Sequence, residues 1–214
     1  MDTVSISPAT LYTLIGTSRS PLVLDVRRAP AFDADSLVLA GALRPGADLA
    51  AFAGRHCAGL PTIRRRPDWR VPGGSRWITR ARPKIDRIAC PWLIRRFIDP
   101  LAGFDYVPAA RVFDEARNRD AVPYDIPGAV VTHRGERCSF DALIEDFALH
   151  DAALDRLATI VRGADTDRMD LSPQSPGLLA ASLGLSERYA DDHEMLEQAM
   201  PLYDGLYAWC RQVA

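Results

Sequence analysis

Arg87-Ile88-Ala89-Cys90-Pro91-Trp92-Leu93-Ile94-Arg95-Arg96-Phe97-Ile98, closed by Asp99-Pro100, is the stretch on which the fold turns. Its apolar side chains do not keep to one stripe. Ile88 and Trp92 share one side of a helix; Ile94, Phe97 and Ile98 share another. A helix that is apolar around much of its girth belongs inside a core. Pro91 is tolerated near the first turn, and Asp99-Pro100 ends the helix because the residue before a proline is pushed toward extended backbone. Working outward, Trp77-Ile78-Thr79, Phe104–Val107 and Ala129–Thr132 read as short strands. Ser139 begins a capped helix whose Phe140, Leu143, Ile144 and Phe147 have helical spacing; Ala142 leaves the capping box incomplete. Further helices are predicted over Ala153–Arg162, stopped by Gly163, over Gly177–Leu183, over Glu187–Met200 with Ser186 as cap, and over Pro201–Gln212 after a break at Pro201. The predicted class is α+β, with a mostly helical C-terminal domain over 76–214 that carries a few short strands.

Upstream, Ser7 and Pro8 open a short helix that Gly16 stops. Pro21-Leu-Val-Leu-Asp25-Val-Arg27 reads as a buried strand, and Asp48 is a suitable cap for a second helix to Arg55. Residues 57–75 carry Pro61, Pro67, Pro72, Gly73 and Gly74 among Arg64, Arg65, Arg66 and Arg70, and read as a linker. The expected organisation is a segment 1–56, a Pro/Arg-rich linker 57–75 and a domain 76–214. Leu22 to Phe32, with Gly41-Ala42 after it, resembles the opening of a rhodanese domain, implying a partial α/β segment. That family transfers sulfur through a loop with Gly three residues and Arg five residues beyond its cysteine. After Cys57 those places hold Leu60 and Thr62, and Pro61 removes an N–H donor from the would-be cradle. A working sulfurtransferase is therefore not expected. So short a segment buries little surface alone and should dock on the larger domain.

The 214 residues are 48% hydrophobic and 25% charged, values of a globular chain with a core. The net charge of −2 argues against general nucleic-acid binding. Lys84 is the sole lysine; the other cations are arginines. No leader pattern and no membrane-length apolar run is visible, which predicts a cytoplasmic protein with no membrane partner. Cys57, Cys90, Cys138 and Cys210 form no C-x-x-C pair and should be reduced there.

Trp77 to Asp99, together with Asp125-Ile-Pro127-Gly128, His133-Arg-Gly135, Cys138-Ser-Phe140, Ala164-Asp165-Thr166-Asp167 and Pro176-Gly177-Leu178, resembles the C-terminal domain of the ChrB family. The resemblance covers about residues 75–212. It implies a part in bacterial chromate resistance, with some members acting as chromate-responsive regulators and others fused to a rhodanese-like domain. It implies no established reaction.

Three sets of residues carry the candidate chemistry. Lys84, Arg87, Arg95 and Arg96 surround an expected helix start, where guanidinium forks and free N–H groups suit a tetrahedral dianion such as chromate or sulfate; a solvated or ion-paired basic face is the alternative. Cys90 lies in the first turn of that helix, where the dipole and nearby cations lower a thiol pKa; a small buried hydrophobe is the alternative. Cys138 is the second candidate redox thiol. His133 and Cys138, across a turn at Gly135, could join Asp86, Asp125 or Asp165 around a metal ion, or those aspartates could pair with arginines. The expected function is a chromate or oxyanion stress protein that binds or senses the anion. The rivals are a chromate-responsive DNA-binding regulator, not favoured because no basic recognition helix is visible, and a metal-dependent or sulfur redox enzyme. The identity of any cofactor and the formation of a homo-oligomer stay open.

Overall fold

The structure, a computed structural model, describes residues 6–25, 27, 29–35, 37–43, 62–64 and 74–213. The expected helix over 48–55, Cys57 and most of the Pro/Arg-rich linker lie outside the described residues. In chain order the elements are α1 (Pro8–Leu14), β1 (Val23–Leu24), α2 (Ala29–Ala34), β2 (Leu37–Leu39), β3 (Ala42–Leu43), β4 (Thr62–Arg64), β5 (Arg76–Arg80), α3 (Asp86–Leu93), β6 (Gly103–Val107), α4 (Val112–Arg119), β7 (Val122–Pro123), α5 (Ser139–Asp146), α6 (Ala152–Asp165), α7 (Ser175–Arg188) and α8 (Asp192–Gln212). The fold is α+β and mostly helical. No helix among the described residues is long and apolar enough to cross a membrane.

A three-stranded parallel sheet, ordered β6-β5-β7, forms the β part of the C-terminal region. Parallel neighbours need crossovers, and α3 and α4 supply them. The two-residue period of β5 separates its faces. Ile78 joins Val107, Val112, Ala116 and Ile126 under α4, whereas Trp77 faces the main helical core.

That core is centred on α3, as its all-round apolarity predicts. Ile88, Trp92, Leu93, Ile94 and Phe97 are fully buried. Trp92 contacts Phe97, Phe140, Tyr203 and Tyr207, with ring centroids 5.6–6.4 Å apart. Pro91 lies in the second turn, not the first, and α3 widens into a π-helical turn over Ile94–Ile98. A proline withholds the N–H that would bond the carbonyl four residues back, here that of Arg87. The Tyr124 hydroxyl donates to that carbonyl instead, at 3.3 Å.

Several expected boundaries differ. Residues 129–132 form turns with one isolated bridge, Tyr124 to Val131, and the third strand is β7. The cap of α5 is Cys138 rather than Ser139, and Asp141 accepts the Cys138 N–H at 3.1 Å. Gly163 lies inside α6. A Cβ there would meet Ser175 Oγ at 2.3 Å, so the glycine permits close approach of the α7 start. Ser186 lies within α7, Asp191 caps α8, and α8 runs through Pro201 without a break.

The N-terminal segment packs on this body. Ile15, Phe32, Val38 and Ala40 share its core. The Gly41 N–H donates to Phe97 O, and Arg211 donates to the carbonyls of Tyr12 and Thr13. Gly16 has φ +77°, and a Cβ there would stand 2.4 Å from Phe97 Cζ; only glycine fits both conditions. β1 pairs in parallel with β3, and β2 pairs antiparallel with β4.

Candidate metal centre

Four chain segments meet at the C-terminal side of the small sheet. The end of β5 leads into α3, whose first residue is Asp86. The loop after β7 carries Asp125 and then His133. The last residue of α6 is Asp165. One donor atom from each of Asp86, Asp125 and His133 lies within 4.8 Å of the others. His133 Nε2 stands 3.0 Å from Asp165 Oδ2, 3.5 Å from Asp125 Oδ1 and 3.7 Å from Asp86 Oδ2. Asp86 is fully buried, Asp125 nearly so, Asp165 partly exposed, and the imidazole is 42% exposed, so the cluster opens to solvent at His133.

Each carboxylate is held by its surroundings. Asp86 accepts the N–H groups of Ser139 and Phe140, the first two residues of α5, the second at 3.1 Å. Free N–H groups and the helix dipole favour an anion there. Asp125 accepts Ser139 Oγ at 2.8 Å and Arg80 Nη2 at 3.1 Å, and pairs with Arg87 Nε at 3.3 Å. Asp165 accepts the Asp86 N–H at 3.4 Å. The backbone around the cluster is unusual: Ile85 has φ +27°, Asp125 +49° and Asp167 +57°. Positive φ in a non-glycine residue, above all a β-branched one, costs roughly 1–3 kcal/mol and concentrates at functional sites.

The charge balance is uneven. Burial, then the neighbouring Asp165 and Asp125, push Asp86 up to about 8. Burial and Asp125 also raise Asp165. Burial raises Asp125 too, but bonds from His133 and Ser139 and the guanidiniums of Arg87 and Arg80 bring it below the usual carboxylate range. The Asp125 bond, opposed by partial burial and reinforced by Asp86 and Asp165, lifts His133 to about 9. Near neutral pH a protonated imidazole thus stands beside the ionised Asp125 and a protonated Asp86. A divalent cation would replace those protons, held by one oxygen each of Asp86 and Asp125 and by the His133 nitrogen, with Asp165 beside it.

The other candidate residues lie elsewhere or behave differently. Cys138 is buried at the α5 cap, with its thiol 3.4 Å from Asp141 Oδ2. Cys90 is also buried, 3.8 Å from Asp86 Oδ1. The expected lowering of the Cys90 thiol pKa does not occur: burial first, then Asp86, push it up. Burial and Asp86 do the same to Cys138. The thiols face carboxylates rather than cations, because Asp86 occupies the first turn of α3.

Nor do the four cations of the Lys84–Arg96 run converge. Lys84 is exposed. Arg87 turns to Asp125. Arg95 pairs with Glu197 at 2.5 Å and lies over the Phe104 ring, and Arg96 pairs with Asp204 at 2.9 Å. These arginines fasten α3 to α8 and to the sheet. Sequence reasoning did not single out Ser139 or Arg80 as site residues. Both are far in sequence from their partner Asp125, and no local spacing signals that contact.

The residues that build this centre all fall within the span that comparison identifies. The family described as ChrB, C-terminal domain, matches residues 77–210. Protein ChrB of Cupriavidus metallidurans is 37% identical over 135 residues, covering 63% of this chain and 40% of that protein. The chain thus spans less than half the length of that relative. No solved structure matches it. With Asp86, Asp125, His133 and Asp165 all inside a match that extends over more than half of its length, the chain belongs to the ChrB C-terminal domain family.

Proposed function

We propose that this chain takes part in the chromate-resistance response by holding a divalent transition-metal ion at Asp86, Asp125, His133 and Asp165. One observation carries the reading: three aspartates, one of them fully buried, surround a single imidazole at 3.0–3.7 Å. Buried carboxylates that share a site repel one another, and an arrangement that costs stability persists when something else compensates it. A cation does so directly. A set of three oxygens and one nitrogen without sulfur suits Mn²⁺, Fe²⁺ or Zn²⁺. The half-exposed edge at His133 would leave a coordination position open to a ligand.

Recognition of chromate by Lys84, Arg87, Arg95 and Arg96 has less support, since Arg87, Arg95 and Arg96 already hold carboxylates. A chromate-sensing role remains part of the proposal through the metal: a cation held by these residues would supply a Lewis-acidic position for an oxyanion oxygen. The test is metal content by mass spectrometry, followed by calorimetric titration with Mn²⁺, Zn²⁺ and Mg²⁺, on the wild type and on Asp86→Asn. One equivalent bound by the wild type and weakened at least tenfold in the variant is expected. A wild type that binds none of these ions after removal of endogenous metal overturns the proposal. Chromate titration of the metal-loaded and stripped protein then tests the sensing role.

A further inference from the structure

A second site is built from the same loops and is lined mainly by arginines. A cleft of about 460 Å³ is lined by Arg134, Glu136, Arg137, Arg162, Arg168 and Leu171. Four guanidiniums and one carboxylate line its walls, and Asp141, Glu145, Asp146 and Asp170 pair with those guanidiniums from outside the lining. Arg134 and Arg137 sit on a tight turn in which each N–H bonds the other residue's carbonyl, at 3.0 and 3.1 Å. Arg162 projects from α6, and Arg168 lies on the turn after it, its N–H bonded to Gly163 O.

The four arginines fall into two kinds. Arg134 is fixed by two 2.8 Å bonds to Asp146, and Arg162 by one of 2.8 Å to Asp141, both nearly buried carboxylates. Among the described residues Arg137 forms an ion pair only with the exposed Glu145, at 3.6 Å; Arg168 meets the exposed Asp170 at 3.1 Å and Glu136 at 4.0 Å. Solvent-exposed pairs of that kind contribute little, so these two guanidiniums can turn to a better partner. The two adjustable forks of Arg137 and Arg168 can each grip one oxyanion group through paired N–H donors, which is more than one tetrahedral ion requires, while Arg134 and Arg162, whose donors already hold Asp146 and Asp141, add positive charge to the wall. The cleft volume likewise exceeds a single such ion.

We infer that the Arg134–Arg137–Arg162–Arg168 cleft binds a ligand carrying at least two linked phosphate-type groups. The ligand would lie against α6 and the turn before α5, with Arg137 and Arg168 closing on it. The site does not depend on a metal at Asp86.

Isothermal titration with inorganic phosphate, sulfate and pyrophosphate at matched ionic strength tests this on the full chain. The variants are Arg137→Gln/Arg168→Gln, Arg95→Gln as an arginine on another face, and Asp86→Asn, with metal content measured before and after each titration. The expected result is one pyrophosphate per chain, bound at least tenfold more tightly than phosphate. Binding should fall at least tenfold in the double variant and stay unchanged in Arg95→Gln and Asp86→Asn. Absence of saturable binding overturns the inference. So does equal affinity for phosphate and pyrophosphate, retention of binding in the double variant, or its loss in Asp86→Asn, which would place the anion on a metal instead.

Discussion

His133 Nε2 lies 3.0 Å from Asp165 Oδ2, so the solvent-facing loop after β7 is tied to the last residue of α6. The ion pair joins the most exposed member of the cluster to a helix end. Replacing His133 removes the sole nitrogen donor while leaving the buried carboxylates in place. His133→Ala is expected to lower Mn²⁺ or Zn²⁺ affinity at least tenfold and, because the imidazolium offsets the neighbouring carboxylates, to lower Tm of the metal-free protein at pH 6, with the loss shrinking as pH rises toward 9. Calorimetry and thermal denaturation of the same samples check both halves.

Stability of the metal-free protein should fall as pH rises. Asp86 titrates at about 8 in the folded chain, against an ordinary value of 3.8. Between those limits the folded state binds a proton that the unfolded state lacks, so ΔG of unfolding decreases with pH. His133 acts in the same direction: its folded value of about 9 exceeds 6.5, and its contribution is complete below 6.5 and lost through 9. Tm measured in chelator is therefore expected to decline from pH 6 to pH 9. Saturating metal should flatten the decline, because the cation replaces the protons. A chelated protein whose Tm rises over that interval would contradict the charge balance described for the cluster.

Asp86→Asn separates structure from metal binding. The amide oxygen can still accept from Ser139 or Phe140, but the buried negative charge is gone. In chelator at pH 8 the variant should melt at or above the wild type, since removal of an uncompensated buried charge is favourable. With metal present the order should reverse, because the wild type alone gains the binding free energy. Asp86→Ala should be less stable than Asp86→Asn in every condition, as it leaves two buried N–H groups without an acceptor.

Much of the fold was legible because it rests on local signals. The buried α3 follows from apolar residues on all sides, α1 from Ser7 and Pro8, and β5 and β6 from short β-branched or aromatic runs. The errors share a cause: residues that usually punctuate helices are here absorbed by tertiary contacts. Gly163 makes room for Ser175, Ser186 is buried within α7, and Pro201 is carried within the long α8. The centre was legible only as a set of candidates. The sequence shows Asp86, Asp125, His133 and Asp165 as donors, but nothing local distinguishes them from Cys138, which the cap of α5 withdraws. The arginines of the Lys84–Arg96 run read as one patch because sequence shows spacing and not direction; the helix points them to opposite sides.

The docking of the N-terminal segment can be tested at Gly16. Its φ of +77° and the 2.4 Å separation between a built Cβ and Phe97 Cζ act together. Gly16→Ala is expected to cost about 2 kcal/mol, or roughly 4–8 °C of Tm. Phe97→Leu in the same background should recover part of the loss by clearing the ring atoms, although the strain of positive φ remains. Urea melts of the two single variants and the double variant give the coupling; strict additivity would mean that Gly16 does not meet the ring.

The buried thiols make the last prediction. Cys90 and Cys138 are fully buried, and their pKa values are raised by burial and by Asp86. The reactive species is the thiolate, and reaction at a buried site needs an opening of the fold. In a Cys57→Ser background, which removes the thiol outside the described residues, Cys90 and Cys138 should react with a disulfide reagent at least ~100-fold more slowly in buffer than in urea. Removal of metal should accelerate Cys90 more than Cys138, because Cys90 contacts Asp86 directly whereas Cys138 bonds Asp141. Peptide mapping of the labelled sites distinguishes the two. Rapid labelling of Cys90 in the native, metal-loaded protein would restore it as a redox reporter and would contradict the environment described for it.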